Sequence, residues 1–297
     1  MERILKKVVT AKESGQTVRS FLQNEMGFTK AQIRSLKYLP RGICVNGEKV
    51  RVTYVLSFGD RIEICLEQGK SSEERVAPVS HPVEILYEDR DVIAVWKPSG
   101  TPTHPVASHK TDTMANYLLG YFSEKQEKVL IRVIGRLDVD TQGILLFGKN
   151  RTASAKLWKQ HEQGILTKEY LAKCEGIFPK EAYKKEQKIT MPVGKCHKDP
   201  GNSFRVNPEG KTAVTYYQVL DDHTVRLRLE TGRTHQIRIH MAAIGHPLEG
   251  DALYGNGKRG ETRAALAAWK LEFRQPFTGE EISLKRYPTW KEENCPG

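Results

Sequence analysis

No run of apolar residues approaches the ~20 that a helix needs to cross a bilayer. The first fifteen residues, MERILKKVVTAKESG, lack the unbroken apolar stretch of a secretory signal. Together these absences point to a cytoplasmic protein with no membrane partner. Cysteine is sparse as well. Cys44, Cys65, Cys174, Cys196 and Cys295 are dispersed singly and odd in number, which argues against a disulfide framework and for reduced thiols. The closest pair of soft ligands is Cys196 with His197, and a zinc site needs two further ligands at a recognisable spacing. The sequence offers none, so no metal is expected. Internal repeats and low-complexity tracts are missing too, which leaves ordinary globular domains. Among the charges it is acid that falls short: 36 Asp and Glu stand against 47 Lys and Arg, for a formal net charge of +11. That excess favours a polyanionic partner, because each phosphate neutralised by a cation releases condensed counterions.

At 297 residues the chain can bury a sizeable core, and one large domain plus one small one is the expected division. From Thr17 onward, Val18, Phe21, Leu22 and Met26 recur on one helical face, and Gly27 closes the segment. Thr29 then caps a second helix with Ile33, Leu36 and Leu39 as its apolar face, stopped by Pro40. Lys30, Arg34 and Lys37, with Arg41 just beyond, follow one another at spacings of four, three and four on a different face. Asn46-Gly47 between short apolar runs predicts a two-residue hairpin, and VLSFGDRIEICL alternates like a strand led in by a Gly-Asp turn. Residues 67–80, EQGKSSEERVAPVS, are polar and read as a linker. The arrangement over residues 14–66 resembles the small alpha-L RNA-binding module, the ribosomal protein S-four-like domain. On that resemblance Lys30, Arg34, Lys37 and Arg41 lie along an RNA backbone and position it without reading bases. Taken without it, the same stripe is a solvated helix face.

Residues 81–297 make the second domain. EILYEDRDVIAVWKPSGTPTHP reads as strand, turn, strand and a Pro/Gly-rich loop. Thr152 to Gly164 reads as a helix, and TKEYLAKCEG, TAVTYYQVL and TVRLRLETG read as strands. Many strands with few helices predict an α+β fold with a mixed, largely antiparallel sheet. The terminal KRYPTWKEENCPG reads as a tail on the last strand.

The stretch GRLDVDTQGILLFGKN sets Arg136, Asp138 and Asp140 ahead of an apolar run. As pure structure, its Asp, Thr and Gly form a turn in which Asp side chains bond nearby amides. Anchored to a buried strand, ILLFG, the same turn is a place where reactive groups are mounted. This stretch resembles the Arg-Leu-Asp motif of the RluA-type pseudouridine synthases. The likeness extends in family order: ILYEDRDVIAVWKPSGTPTHP is similar to that family's opening motif, TKEYLAKCEG to its tyrosine motif, LETGRTHQIRIHMAAIGHPLEGDALYG to its arginine motif, and RAALAAWKLEFRQPFTGE to its closing strand. The resemblance implies a pseudouridine synthase fold, with Asp138 as the catalytic carboxylate and Asp140 not. It implies that Tyr170 stacks on the uracil, that Arg233 pairs with the catalytic carboxylate, and that Arg136 helps hold a nucleotide flipped out of its stack. His235, Gln236 and Arg238 are read equally as RNA contacts or as structural residues, and His240 and His246 as structural. Gly135, Gln142 and Ala267 depart from the family pattern, which usually has His, Ser and His there.

The implied reaction breaks the glycosidic bond of a uridine, turns the uracil and rejoins its carbon five to the ribose, with no redox step, cofactor or metal. A carboxylate serves this as nucleophile or as stabiliser of an electron-poor sugar, and the sequence leaves both open. The implied partner is structured RNA, with large-subunit ribosomal RNA first and transfer RNA second. Two other readings compete. A noncatalytic RNA-binding assembly factor has no need of a carboxylate facing an anionic ligand. A glycoside hydrolase wants two carboxylates flanking the bond, and Asp138 and Asp140 on a strand-like turn point apart.

Overall fold

Two principal sheets, each against its own apolar core, organise the chain in the computed structural model, which describes residues 3–66, 76–106, 108–183, 185–196, 203–258 and 262–292. The first sheet is built from β1 (Arg3–Val8), β2 (Ile43–Val45), β3 (Glu48–Lys49) and β4 (Arg61–Leu66), in the order β1-β4-β2-β3, all antiparallel. Helices α1 (Val18–Asn24) and α2 (Lys30–Tyr38) cover it. The expected Thr29 cap forms, with Gln32 completing a reciprocal capping box, and Thr17 caps α1 as well, its Oγ1 accepting from Ser20 N. Asn46 and Gly47 take φ of 52° and 87°, the left-handed pair that a two-residue hairpin requires. Asp60 fixes the turn into β4 by accepting from Ser57 N and Asn46 Nδ2, both at 2.8 Å. Val18, Phe21, Leu22, Ile33 and Leu36 close over Ile43, Val45, Ile62 and Ile64, each such burial contributing about 1.5–3 kcal/mol. The sheet reaches back to Arg3, ahead of the boundary at Ser14 that the sequence pattern suggests, because β1 completes the far edge of β4.

Of the expected linker over 67–80, residues 67–75 lie outside the described residues. The remainder is tied down: Ala77 O accepts from Asn116 Nδ2 at 2.7 Å, and Val79 N donates to Asn116 O at 3.0 Å. The chain there runs so close over α3 (Met114–Glu124) that a Cβ on Gly120 would stand 2.0 Å from Val79 O.

The large sheet takes β5 (Glu84–Glu88), β6 (Val92–Lys97), β7 (Arg132–Ile134) and β8 (Gln142–Gly148), then, after α4 (Arg151–Glu162), β9 (Thr167–Lys173) and β10 (Gln187–Thr190). A small hairpin of β11 (Val193–Lys195) and β12 (Phe204–Val206) precedes β13 (Val214–Val219) and β14 (Thr224–Leu229). Helix α5 (Gln236–Ala243), β15 (Leu266–Arg274) and β16 (Glu281–Lys285) complete it. The order is β10-β13-β14-β9-β15-β8-β6-β5, with β7 on β8 and β16 on β15, antiparallel throughout except where β15 runs parallel to β8. This is the expected mixed, largely antiparallel α+β sheet. Its central strands bury both faces and therefore read as unbroken apolar runs. On one face Ile93, Val95, Leu145 and Phe147 pack under α3 and α5, and on the other Val92, Ala94, Ile144 and Leu146 pack under α4. In place of a plain C-terminal tail, Thr289–Glu292 form a short helical turn. No helix among the described residues is long and apolar enough to cross a membrane.

At the parallel junction Gly143 sits at φ 134°, and a Cβ there would lie 2.5 Å from the backbone N and O of Ala268. Backbone atoms paired in a sheet cannot yield to it. Gly143→Ala is expected to lower the urea midpoint at unchanged slope, by about 2–5 kcal/mol of stability. An unchanged midpoint would mean that the two strands part without cost.

Candidate active site

Between β7 and β8 the chain must reverse within a few residues, and Gly135 begins the turn at φ 72°. The loop that follows, residues 136–141, has its carbonyls claimed by the Pro/Gly-rich loop after β6. Thr103 Oγ1 donates to Leu137 O at 2.8 Å, Gly100 N to Val139 O at 2.8 Å, and Ser99 Oγ to Asp140 O at 2.6 Å. Lys97, the last residue of β6, has no solvent exposure. Its ammonium donates to Pro98 O (3.0 Å), Thr101 O (2.7 Å) and Val139 O (3.0 Å), one N–H for each carbonyl. Burial pulls its pKa down to about 7, against the charges of Asp138 and Asp140, which favour the ammonium.

The carboxylate of Asp138 is held from two sides. Oδ2 accepts from the backbone N–H of His235 at 3.3 Å, at the start of α5, where the helix dipole favours an anion. Oδ1 lies 3.3 Å from Nη2 of Arg136, whose side chain is largely in solvent. Tyr170, on β9, is buried close by. Burial, and after it the charge of Asp138, raises its pKa above the usual tyrosine value, so it remains a neutral phenol. Asp138, Arg136 and Tyr170 are therefore brought together from a loop and a strand well separated along the chain.

Arg233 departs from expectation. Its Nε donates to Thr212 O at 3.0 Å, its backbone N–H is taken by Gln236 Oε1 at 2.9 Å, and the guanidinium paired with Asp138 is that of Arg136. The expected Asp138–Arg233 pair is not formed, because Arg233 is clipped ahead of α5 and reaches away toward the β13 side. Gln236 is buried with its amide satisfied by Val214 O, Thr215 Oγ1, Thr231 Oγ1 and Arg233 N, which is a structural role. His240 bridges Thr215 Oγ1 and Met191 O, both at 2.9 Å, and His246 stacks on Phe178. His235 takes the left-handed conformation at φ 55° and shares a 2.9 Å hydrogen bond with Tyr254 Oη. Burial keeps its imidazole below the ordinary histidine pKa and raises the Tyr254 hydroxyl to about 12.

Arg238, which the sequence left open between an RNA contact and a structural residue, and several residues that sequence reasoning passed over complete the surroundings. Arg238, 2% exposed, grips Asp251 through Nε (2.7 Å) and Nη2 (2.6 Å) and turns Nη1 to Asp140 at 3.3 Å. Arg263 approaches the other oxygen of Asp140 at 3.4 Å. The one visible signal was Lys97 itself, a cation ending an apolar strand beside Pro98; nothing local marks Asp251, Tyr254 or Arg263. The departures from the family pattern sit at the base of the loop. Gln142 and Ala267 are register partners on β8 and β15, and a Cβ on Gly135 would stand 3.5 Å from Nζ of Lys168. On the N-terminal module Lys30, Arg34 and Lys37 are exposed and line a groove with Arg19 and the protruding Tyr38, while Arg41 is exposed beyond it.

Comparison with known proteins places the chain among relatives. Residues 91–243 match the family model described as RNA pseudouridylate synthase. The Bacillus subtilis protein named uncharacterized RNA pseudouridine synthase YhcT is 36% identical over 286 residues, 94% of this chain and 92% of its own. Ribosomal large subunit pseudouridine synthase D of Vibrio parahaemolyticus is 36% identical over 258 residues, 81% of this chain and 77% of its own. Among solved structures, human RNA pseudouridylate synthase domain containing 1 superposes with a TM-score of 0.57 at 25% identity, covering 74% of this chain and 86% of that one.

Replacing Lys97 by Met strands three carbonyls without a donor, and the expected loss is about 2–5 kcal/mol in a denaturant titration. The pH dependence has a definite sign. The buried amine holds its proton less tightly, at about 7, than the 10.5 of an unperturbed lysine. Between those values the unfolded chain binds more protons, so wild-type stability gains from this group as pH rises through that window. Lys97→Met is expected to lack that gain, and an identical pH slope in both proteins would rule out the assignment.

Proposed function

The chain belongs to the RNA pseudouridylate synthase family, and from that premise we propose that Asp138 is its catalytic carboxylate and that its target is a uridine of large-subunit ribosomal RNA. The enzyme is an isomerase converting uridine to pseudouridine in RNA. The bond from N1 to C1′ breaks, the uracil turns, C5 bonds to C1′, the hydrogen on C5 leaves as a proton and N1 regains one, so no outside group is consumed. The observation that carries the assignment is how the two loop carboxylates are held. Asp140 is engaged by two guanidinium groups, whereas Asp138 accepts from the α5 N-terminus with one solvent-exposed arginine beside it and lies near enough for its charge to act on the Tyr170 phenol. An anion so placed can attack or stabilise the sugar while the neutral phenol of Tyr170 lies against the base.

The target base is stacked in RNA, and exposing it costs a few kcal/mol. Arg136, solvent-exposed and cationic beside Asp138, is the residue we assign to holding the flipped state, since a planar guanidinium both stacks and binds phosphate. The N-terminal domain we read as the alpha-L RNA-binding module, with Lys30, Arg34, Lys37 and Arg41 on the phosphate backbone. Support for the ribosomal substrate comes from relatives named as ribosomal large subunit pseudouridine synthases. A cytoplasmic location belongs to the same reading.

Carbodiimide mapping of ribosomal and transfer RNA from cells lacking the protein tests the substrate. Discrete ribosomal sites are expected to vanish and to return with wild type but not with Asp138→Asn. Loss confined to transfer RNA would replace the ribosomal assignment. In vitro, Asp138→Asn is expected to slow tritium release from 5-tritiated uridine by about 10³-fold or more. Changing Lys30, Arg34 and Lys37 together to Gln is expected to weaken RNA binding and flatten the plot of log affinity against log salt by roughly 0.7–0.9 for each phosphate no longer neutralised. A slope equal to wild type would remove the stripe from the interface.

A further inference from the structure

The loop that carries Asp138 also carries Asp140, which the chemistry described so far does not use. Its Oδ2 accepts from Nη1 of Arg238 at 3.3 Å, and its Oδ1 lies 3.4 Å from Nε of Arg263. Arg238 is not a free surface cation. It is 2% exposed and fixed by two parallel hydrogen bonds to Asp251, which has no exposure and also accepts the backbone N–H groups of Leu253 (2.9 Å) and Tyr254 (3.1 Å). Arg238 stands one turn along α5 from His235, whose N–H holds Asp138. Two carboxylates two residues apart on one loop thus engage one helix at two points one turn apart. The rear of the loop is fastened separately, through Leu137 O, Val139 O and Asp140 O, to the loop after β6, and Arg263 also lies over that loop, 3.5 Å from where a Cβ on Gly100 would be.

We propose that Asp140 is a positioning residue: its contacts with the Arg238–Asp251 clamp and with Arg263 set the loop against α5 so that the Asp138 carboxylate meets the His235 N–H and faces Tyr170. A bond of 3.3 Å to a single backbone N–H is a weak constraint on a carboxylate at a loop tip. A second attachment through a rigid, fully buried guanidinium removes the rocking motion that the first leaves. This role for Asp140 rests on Asp138 being the reacting carboxylate. It does not need Asp140 for folding, because Arg238 keeps Asp251 as its counter-charge when Asp140 is neutralised, and an asparagine oxygen still accepts from Arg238.

The test compares wild type, Asp140→Asn, Asp140→Ala, Arg263→Gln and the Asp140→Asn/Arg263→Gln double variant, with Asp138→Asn alongside. The probe is a large-subunit ribosomal RNA transcript carrying 5-tritiated uridine, with transfer RNA transcripts as the second substrate. For Asp140→Asn and Asp140→Ala, kcat is expected to fall on the order of tenfold to a hundredfold, the scale of an ångström of misplacement, with KM unchanged within about threefold. The double variant is expected to lose little more than Asp140→Asn, because both changes release the same loop. Hydrogen exchange of the peptide spanning 136–141, where Thr141 N–H donates to Asp138 O at 3.1 Å, is read without RNA and is expected to quicken on the order of tenfold while Tm stays near wild type. Normal kcat and unchanged exchange in Asp140→Asn would overturn the proposal while leaving Asp138 in place if Asp138→Asn is inactive. A fall in kcat matched by a collapse in Tm would reduce Asp140 to a folding residue. An active Asp138→Asn beside an inactive Asp140→Asn would exchange the two roles and overturn both readings. Should wild type turn over neither RNA, the exchange comparison alone decides whether Asp140 holds the loop.

Discussion

An ammonium group with no access to water must be satisfied by its neighbours, and at the end of β6 three backbone carbonyls do this for Lys97. Two of them lie in its own loop and the third is Val139 O, in the middle of the Asp138–Asp140 segment. The arrangement works in both directions. The cation is tolerated only because the two loops close over it, and the loops are held at fixed distance because the cation demands all three acceptors. Removing either side leaves polar groups buried without partners, which is more costly than never having buried them. The Asp138 turn therefore takes its place from a charge behind it, and its two carboxylates are held by groups of α5.

The segment also brings opposite charges together. Lys97, Arg136, Arg238 and Arg263 are set against Asp138, Asp140 and Asp251, with the deepest pair, Arg238–Asp251, bidentate and shielded from solvent. Such a pair seldom adds net stability once desolvation is counted, but it has one geometry. Around it the same residue type has two surroundings: Asp140 lies between two guanidinium groups, whereas Asp138 accepts from the helix N-terminus with one solvent-exposed arginine beside it.

Seen from the RNA side, the division of labour is physical. Exposed Lys30, Arg34 and Lys37 on α2 carry charge at helical spacing on an element whose opposite face is packed into a small core. A rigid stripe of that kind can locate a polyanion without distinguishing its sequence.

What was legible in the sequence was whatever local periodicity or a contiguous stretch can encode. The capped helices, the Asn46-Gly47 hairpin, the apolar runs of β6 and β8 and the Arg-Leu-Asp turn were all readable because each depends on residues within a few positions. Less local features were missed or misplaced. Strand β1 has no partner until β4, more than fifty residues on, supplies its edge. Helix α3 hides behind a loop, and the tail of the expected linker is pinned to it by Asn116. Arg233 lies in its motif, yet its side chain goes to Thr212 because the main chain ahead of α5 points it there. By itself the sequence determined the kinds of element, the turn that carries Asp138 and the family to which the chain belongs. Only the tertiary structure decided which charge meets which carboxylate, since Arg238, Asp251 and Arg263 lie about a hundred residues or more beyond the loop along the chain and reach it only through the closing of the sheet and the docking of α5. Coulomb and hydrogen-bond energies depend on distance in space, and distance along the chain does not determine it.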